Sequence, residues 1–187
     1  KAEKVPFGKL FLQKDYMIIN FTSFMQKMLT SIAFLVIPIV LVKEYGYESG
    51  ELYKVYTLGA VLGFLAMGLA GALGDGKGLS KVILIAGTLL FALTYAIFVF
   101  SFTKFLFVVG IAIFFIGFNL HEPIMQSTAT KFVKSSQKGT ALGIFNSFGY
   151  FGSFVGGAFG GYIMHAFSFK VLAIICVVLC VIWLVLL

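Results

Sequence analysis

The chain has 187 residues, of which 60% are hydrophobic and 11% charged, and its mean hydropathy is +1.06. This composition excludes a water-soluble globular domain, and at roughly 20 residues per span the length accommodates about six membrane-spanning helices without a separate soluble enzymatic domain. All 14 basic residues are lysine, and against 7 acidic residues they give a formal net charge of +7. In a membrane chain, such a surplus of lysine reflects the orientation of the spans in the bilayer, so we expect no nucleic-acid binding.

Hydropathy predicts an all-α membrane protein with six spans joined by short connections. The predicted spans are residues 16–42, 53–73, 82–102, 105–130, 140–164 and 169–187, and residues 1–15 are predicted to be a cytoplasmic linker. Nine lysines lie before the first span and in the second and fourth connections, whereas four lie on the opposite side. By the positive-inside rule, both ends of this chain are then cytoplasmic.

The first three spans and the last three show the same order of amino-acid composition. The first and fourth carry ionisable residues at membrane depth, the second and fifth are rich in glycine, and the third and sixth are aliphatic and aromatic runs. Three spans are an odd number, so the second triplet enters the membrane from the opposite side, which predicts two inverted three-helix repeats. We expect the first and fourth spans to line a cavity, the second and fifth to mediate packing, and the others to lie outermost.

The first span carries a polar stripe near its middle. Asn20, Ser23 and Lys27 fall on one helical face, and Gln26 widens it. A lysine at the bilayer centre costs roughly 2.5–3.5 kcal/mol, so Lys27 requires a partner or an aqueous cavity. We interpret it as lining a pathway, with a purely structural ion pair as the alternative.

The second span and the connection after it are rich in glycine. Gly59, Gly63 and Gly71 are predicted to share one line, which permits close helix packing. Residues 71–81 are predicted to form a tight turn that begins with Asp75 and contains Lys77.

The fourth span carries a second polar face. This face contains Asn119 and, three and seven residues after it, Glu122 and Gln126. His121 lies beside them. Glu122 and Lys27 are predicted at similar depths, so they can form an ion pair. If Glu122 is instead unpaired, its burial would favour the protonated form of the carboxyl group. Glu122 is a candidate proton-coupling carboxylate in both cases, and a static polar cluster is the alternative. His121 is assigned to the same pathway, or else donates a hydrogen bond in helix packing.

The fifth span repeats glycine at intervals of four residues. Gly152, Gly156 and Gly160 predict backbone contact with a neighbouring helix, which either is static or permits bending and sliding. Asn146 adds a polar side chain to the cytoplasmic half of this span.

Three stretches resemble the major facilitator superfamily. Residues 71–81 resemble its loop signature of glycine, aspartate and basic residues, although Gly76 and Leu79 stand where bases are usual. Gly143 and the glycines from 152 to 161 resemble the antiporter glycine motif, with Gly157 in place of its proline. Residues 118–123 and 138–146 are similar to the tenth and eleventh helices of bacterial drug/proton antiporters.

The resemblance implies that the six spans are the C-terminal half of a twelve-helix transporter that works by alternating access. It further implies that the loop of Gly71, Asp75 and Lys77 locks one conformation. The expected partners are the N-terminal half or a second copy of this chain, together with the lipid bilayer and a small-molecule substrate. No metal and no organic cofactor is expected, and a proton is the expected coupling ion.

Proton-coupled export of small hydrophobic or amphiphilic compounds, in a bacterial cytoplasmic (inner) membrane, is the leading functional hypothesis. The same fold could instead carry a polar solute such as a sugar, amino acid or nucleoside. A channel or a non-transport membrane scaffold is a further alternative. An intramembrane protease is disfavoured, because Asp15 and Asp75 both lie at span ends and do not face each other at membrane depth.

Overall fold

The computed structural model describes residues 11–187, apart from the side chains of residues 75–77, as six α-helices. The helices are α1 (Lys14–Lys43), α2 (Leu52–Lys77), α3 (Ser80–Phe100), α4 (Lys104–Lys131), α5 (Lys138–Ala166) and α6 (Phe169–Leu186). Short 3-10 turns, Ser49–Glu51 and Ser135–Gln137, precede α2 and α5. No strand occurs within the described residues, so the predicted all-α six-helix class is confirmed.

Five segments of the described chain are long and apolar enough to cross a membrane. They are Lys14–Lys43, Ser49–Gly74, Ser80–Phe100, Lys104–Lys131 and Phe169–Leu186. Helix α5 is 29 residues long but rich in glycine, which adds length without hydropathy. Its close packing against a neighbour, described below, takes the place of lipid contact on one face.

The order of packing follows the predicted inverted repeat. Helix α1 packs mainly against α5, and α2 packs mainly against α4. The inverted repeat relates α1 to α4 and α2 to α5. The packing of α1 against α5 therefore corresponds to the packing of α4 against α2. Helices α1 and α4 also contact each other, while α3 packs against α4 and α6. The two polar helices therefore lie together inside the bundle, as their buried charges require.

Glycines of α5 bring the backbones of α1 and α5 into contact. A Cβ atom added at Gly152 would collide with the backbone carbonyl of Phe24, and one at Gly156 with that of Met28. Only glycine fits at such a crossing, since any larger side chain would push the helices apart. Gly160 is also buried, against Ile32.

The small-residue line of α2 differs from the predicted one after Gly63. Gly59 and Gly63 lie against Phe115 and Asn119 of α4, but Gly71 is exposed and open to its surroundings. At about 100° per residue, position 71 is rotated about 80° from position 63. The line continues instead through alanines at positions 66 and 70, both buried, to a glycine at position 74.

The connection between α2 and α3 is shorter than predicted. Helix α2 continues to Lys77, and the chain turns at Gly78, whose φ of 68° is in the left-handed region that favours glycine. The hydroxyl of Ser80 donates a hydrogen bond to the carbonyl of Gly74 at 3.3 Å. Residues 71–77 are therefore helical, which corrects the predicted tight turn. The side chains of Asp75 and Lys77 lie outside the described residues, as does the linker up to residue 10.

Lysines mark one end of the bundle, hereafter the lysine-rich end. This end contains the starts of α1, α3 and α5 and the ends of α2, α4 and α6. The lysines described there are Lys14, Lys81, Lys131, Lys134 and Lys138. An aromatic core that includes Phe98, Phe107 and Phe169 fills the opposite end. Aromatic rings therefore close the interior of the bundle at that end.

Candidate functional site

A lysine and a glutamate from different repeats meet inside the bundle. The Nζ atom of Lys27 in α1 lies 2.6 Å from the Oε1 atom of Glu122 in α4. Their side chains are 33% and 22% exposed, so both charges are partly withdrawn from solvent. The side-chain amide of Gln26 donates a second hydrogen bond to the same carboxylate oxygen, at 3.2 Å. The carboxylate thus has two donors, both from α1.

The pair borders a cavity of about 280 Å³ that we call the central cavity. It is formed by α1, α4 and α5 and is lined by Ser23, Lys27, Glu122, Met125, Gln126, Phe145, Asn146, Gly149 and Tyr150. Six of these nine residues have polar side chains. The expectation that the first and fourth helices line a cavity therefore holds, but α5 contributes four of the nine residues.

Hydrogen bonds from α1 to backbone carbonyls of α5 hold the cavity wall in place. The hydroxyl of Ser23 donates to the carbonyl of Phe145 at 3.1 Å. About two turns of α1 nearer the lysine-rich end, the hydroxyl of Tyr16 donates to the carbonyl of Ala141 at 2.9 Å. Both bonds are buried, where competition from water is small.

Gly149 allows α1 and α5 to approach beside the ion pair. A Cβ atom at this position would lie 2.8 Å from Ser23 Oγ and 3.2 Å from Lys27 Cγ. The lysine stem thus runs along the bare backbone of α5. Its ammonium lies 5.2 Å from the ring centroid of Phe118, which adds an aromatic face to its surroundings.

Six of the nine predicted pathway residues belong to this site. Ser23, Lys27, Glu122, Gln126 and Asn146 line the cavity. Gln26 is buried and contacts the pair from behind, and its Oε1 has no hydrogen-bond partner among the described residues.

His121 does not line the central cavity, and its assignment to the pathway stays a prediction. Its ring is fully buried between α4, α3 and α6, and Nε2 lies 2.9 Å from the carbonyl oxygen of Leu84. The ring stacks against Phe91 and contacts Trp183, with centroid distances of 5.6 and 5.1 Å. The helical rotation of about 100° from Glu122 is the reason, since it points His121 away from α1. The alternative of a helix-packing hydrogen bond describes this histidine.

Asn20 and Asn119 also lie away from the cavity lining. The amide of Asn20 donates to the carbonyl of Tyr16 on its own helix at 2.9 Å, and the side chain is buried. Asn119 makes the same type of bond to Phe115 and packs against Gly63 of α2. Both amides lie at a helix-packing surface, because a polar stripe is wider than the part of it that meets the cavity.

Sequence reasoning missed four residues of the lining: Met125, Phe145, Gly149 and Tyr150. Tyr150 could have been found, because it follows Asn146 by four residues and so shares its face. Phe145 and Gly149 share a face with each other in the same way. Their contact with α1 depends on the packing of α5, which the sequence pattern did not specify.

No group of three or more histidine, cysteine, aspartate or glutamate side chains is placed to hold a metal ion in the described part of the chain. The lining of the central cavity supplies an ion pair and hydrogen-bonding side chains.

Comparison with known proteins gives a consistent picture. The family model described as Major Facilitator Superfamily matches residues 17–187. The chain is 34% identical over 77 residues to the inner membrane transport protein YajR of Escherichia coli (strain K12), covering 41% of this chain and 17% of that protein. It is 26% identical over 163 residues to an uncharacterized transporter of Buchnera aphidicola subsp. Baizongia pistaciae (strain Bp), covering 86% of this chain and 41% of the relative.

A solved structure has the same fold. It is a bacterial homologue of the human drug peptide transporters PepT1 and PepT2, and it matches with a TM-score of 0.75 and 16% identity. The match covers 92% of this chain and 41% of that one. The chain thus matches less than half the length of each of these three proteins.

Proposed function

The chain belongs to the major facilitator superfamily, and on that premise we propose that it is one half of a proton-coupled secondary transporter that works by alternating access. The ion pair between Lys27 and Glu122 on the wall of the central cavity is the observation that supports this proposal. The pair consists of a carboxylate, which can take up a proton, and an ammonium, which is attracted by the negative charge of the carboxylate.

Proton uptake at Glu122 would change the contacts of both repeats. The carboxylate now accepts from Lys27 and Gln26, and both of these donors belong to α1. Protonation removes the charge that attracts the ammonium, so α1 and α4 lose their strongest mutual contact. The released ammonium then faces Ser23, Gln126 and Asn146 in the cavity, where a substrate would bind.

Export of small hydrophobic or amphiphilic compounds is the first substrate proposal, and it rests on the antiporter glycine motif of α5. The polar lining of the central cavity favours a second candidate, a polar solute such as a sugar, amino acid or nucleoside. Dyes and polar solutes must therefore be tested side by side.

The other half of the central cavity would come from an N-terminal six-helix half or from a second copy of this chain. Phe34, Tyr150 and Phe154 are large, exposed side chains that such a partner would meet. The protein is an integral membrane protein. We place it in a bacterial cytoplasmic membrane with both ends of this chain cytoplasmic, because the lysine-rich end carries most of the positive charge.

The test is gradient-driven transport by the complete transporter in liposomes, with a panel of cationic dyes, neutral dyes and polar solutes. We expect Glu122→Gln to lose gradient-driven flux while substrate binding is retained. Glu51→Gln is the matched control, since Glu51 also pairs with a lysine at 2.6 Å but lies exposed at the opposite end.

Each outcome decides a different part of the proposal. Wild-type flux of polar solutes without flux of dyes would replace the export hypothesis by the second candidate. Normal coupled flux in Glu122→Gln would contradict the role of Glu122 whatever the substrate. Absence of flux for every compound tested in wild type would contradict the transport proposal.

A further inference from the structure

Another cavity lies at the lysine-rich end, on the side of the bundle formed by α1, α3, α4 and α6. Its volume is about 340 Å³, and we call it the end cavity. Its lining consists of Asp15, Ile18, Ile19, Ser80, Lys81, Leu84, Thr128, Phe132 and Leu187. It shares no residue with the central cavity, so an inference about it does not depend on the transport mechanism.

The lining of the end cavity changes from polar to apolar with depth. Asp15 and Lys81 are each the second residue of their helix, so they lie at the rim, at the level of lipid headgroups. Ile19 and Leu84 follow them on the same helices after three or four residues, which is about 5 Å deeper. A polar rim above an apolar floor matches an amphiphile with its head outward and its chain inward.

The rim carries one charge of each sign. Asp15 and Lys81 are both exposed, and neither forms an ion pair with another described residue. Farther in, the Oγ1 atom of Thr128 is buried and has no hydrogen-bond partner among the described residues. A ligand that supplies an anion, a cation and an acceptor oxygen together would satisfy all three groups.

We infer that the end cavity binds a phospholipid whose headgroup carries both a phosphate and a primary ammonium, as in phosphatidylethanolamine. Lys81 pairs with the phosphate, and the hydroxyl of Thr128 donates to a phosphate or ester oxygen. Asp15 accepts from the ammonium. An acyl chain then covers Ile19 and Leu84.

Other common headgroups match this rim less well. Phosphatidylglycerol brings a negative charge without a cation, which leaves Asp15 facing like charge. Phosphatidylcholine brings a cation that has no N–H to donate, so it loses the charge-assisted hydrogen bond to Asp15. The presence of Asp15 and Lys81 in one cavity therefore selects for a headgroup with a primary ammonium and a phosphate rather than for net charge.

Native mass spectrometry of the delipidated, complete transporter tests this inference. The probes are phosphatidylethanolamine, phosphatidylcholine and phosphatidylglycerol with identical acyl chains. We expect wild type to retain the ethanolamine lipid about tenfold better than the choline lipid, the effect of one charge-assisted hydrogen bond.

Variants assign the two poles of the headgroup separately. Asp15→Asn should abolish the preference for ethanolamine over choline, while Lys81→Gln should weaken the retention of both lipids about tenfold. Thr128→Val, which keeps the side-chain shape, should weaken both by a smaller factor. Lys134→Gln is the matched control, because Lys134 is exposed at the same end and does not line the cavity.

Three results would overturn the inference. One is equal retention of the ethanolamine and choline lipids by wild type, and another is preferential retention of phosphatidylglycerol. The third is an equal loss in Lys134→Gln and Lys81→Gln, which would indicate general attraction to the lysine-rich end. Unchanged melting temperatures in phosphatidylcholine would show that each variant is folded.

Discussion

Two ion pairs of the same length lie in very different parts of this molecule. Lys27 and Glu122 are 95 residues apart in the chain and meet inside the bundle, whereas Lys54 and Glu51 are three residues apart at the exposed start of α2. Both pairs have an N–O distance of 2.6 Å. The side chains of the inner pair are 33% and 22% exposed and those of the outer pair 56% and 42%.

This contrast teaches that distance alone does not measure what an ion pair does. The outer pair forms within one helical turn and is screened by water and salt, so it contributes little to stability. The inner pair requires the packing of α1 against α4, and each of its charges would be poorly solvated without the other. Only the inner pair therefore joins two different helices, so only its loss would change tertiary contacts.

The largest expected effect is on stability when the inner pair loses its cation. Lys27→Ala leaves Glu122 partly buried without its cation, so we expect the free energy of unfolding to fall by about 2 kcal/mol, less than for a fully buried pair. Lys54→Ala should cause no measurable change. Denaturant unfolding of the complete transporter in detergent measures both, and equal losses would remove the distinction between the pairs.

A double-mutant cycle should show the next largest effect. Lys27→Met combined with Glu122→Gln removes both charges, so the double variant should be more stable than the sum of the single losses predicts, by about 1 kcal/mol. The same cycle at Lys54 and Glu51 should give a coupling energy near zero. A near-zero value at the inner pair would mean that its charges are solvated independently.

A matched pair of glycines tests the packing that encloses the inner pair. Gly149→Ala would push a methyl group against Ser23 and Lys27, so it should destabilise the protein by about 1 kcal/mol and lower the flux. Gly143→Ala, on the same helix but in open space, should be neutral or slightly stabilising. Equal behaviour of the two variants would indicate that α5 can move away from α1 at no cost.

Salt should give the smallest effect. Raising the ionic strength from about 0.1 M to about 1 M shortens the Debye length from roughly 10 to 3 Å, which screens the outer pair but reaches the inner one much less. The coupling energy measured by the cycle at Lys27 and Glu122 should therefore change little. A steep decrease with salt would show that the cavity is as accessible to ions as the protein surface.

The sequence predicted much of the fold for a simple physical reason. Long apolar runs have to form helices in a membrane, because every backbone group must find its hydrogen bond within the segment. The repeated order of polar, glycine-rich and aliphatic spans indicated the inverted repeat, because three spans are an odd number and the second triplet must enter the membrane from the opposite side. The packing face of α2 was harder to predict. Gly71 was placed on the same line as Gly63, although a rotation of about 80° from Gly63 turns it outward.

The candidate site was predicted in part. The depths of Lys27 and Glu122 made their pairing possible, but whether they touch depends on how α1 and α4 are rotated and how closely they pack. His121 shows the limit of reasoning from composition, since this neighbour of Glu122 instead packs between α3 and α6. Tyr150 was missed although its spacing from Asn146 indicated its face.

The amino-acid sequence by itself determined the membrane class, the six helices and the types of residue that must avoid lipid, because these follow from hydropathy and local spacing. The family was indicated separately, by the resemblance of its motifs. Tertiary structure decided which polar residues share a cavity. A stripe on one helix covers an arc wide enough to face two neighbours, and only packing selects between them. Thus Ser23 and Lys27 face α5 and the central cavity, while Asn119 on the other polar helix faces a glycine of α2.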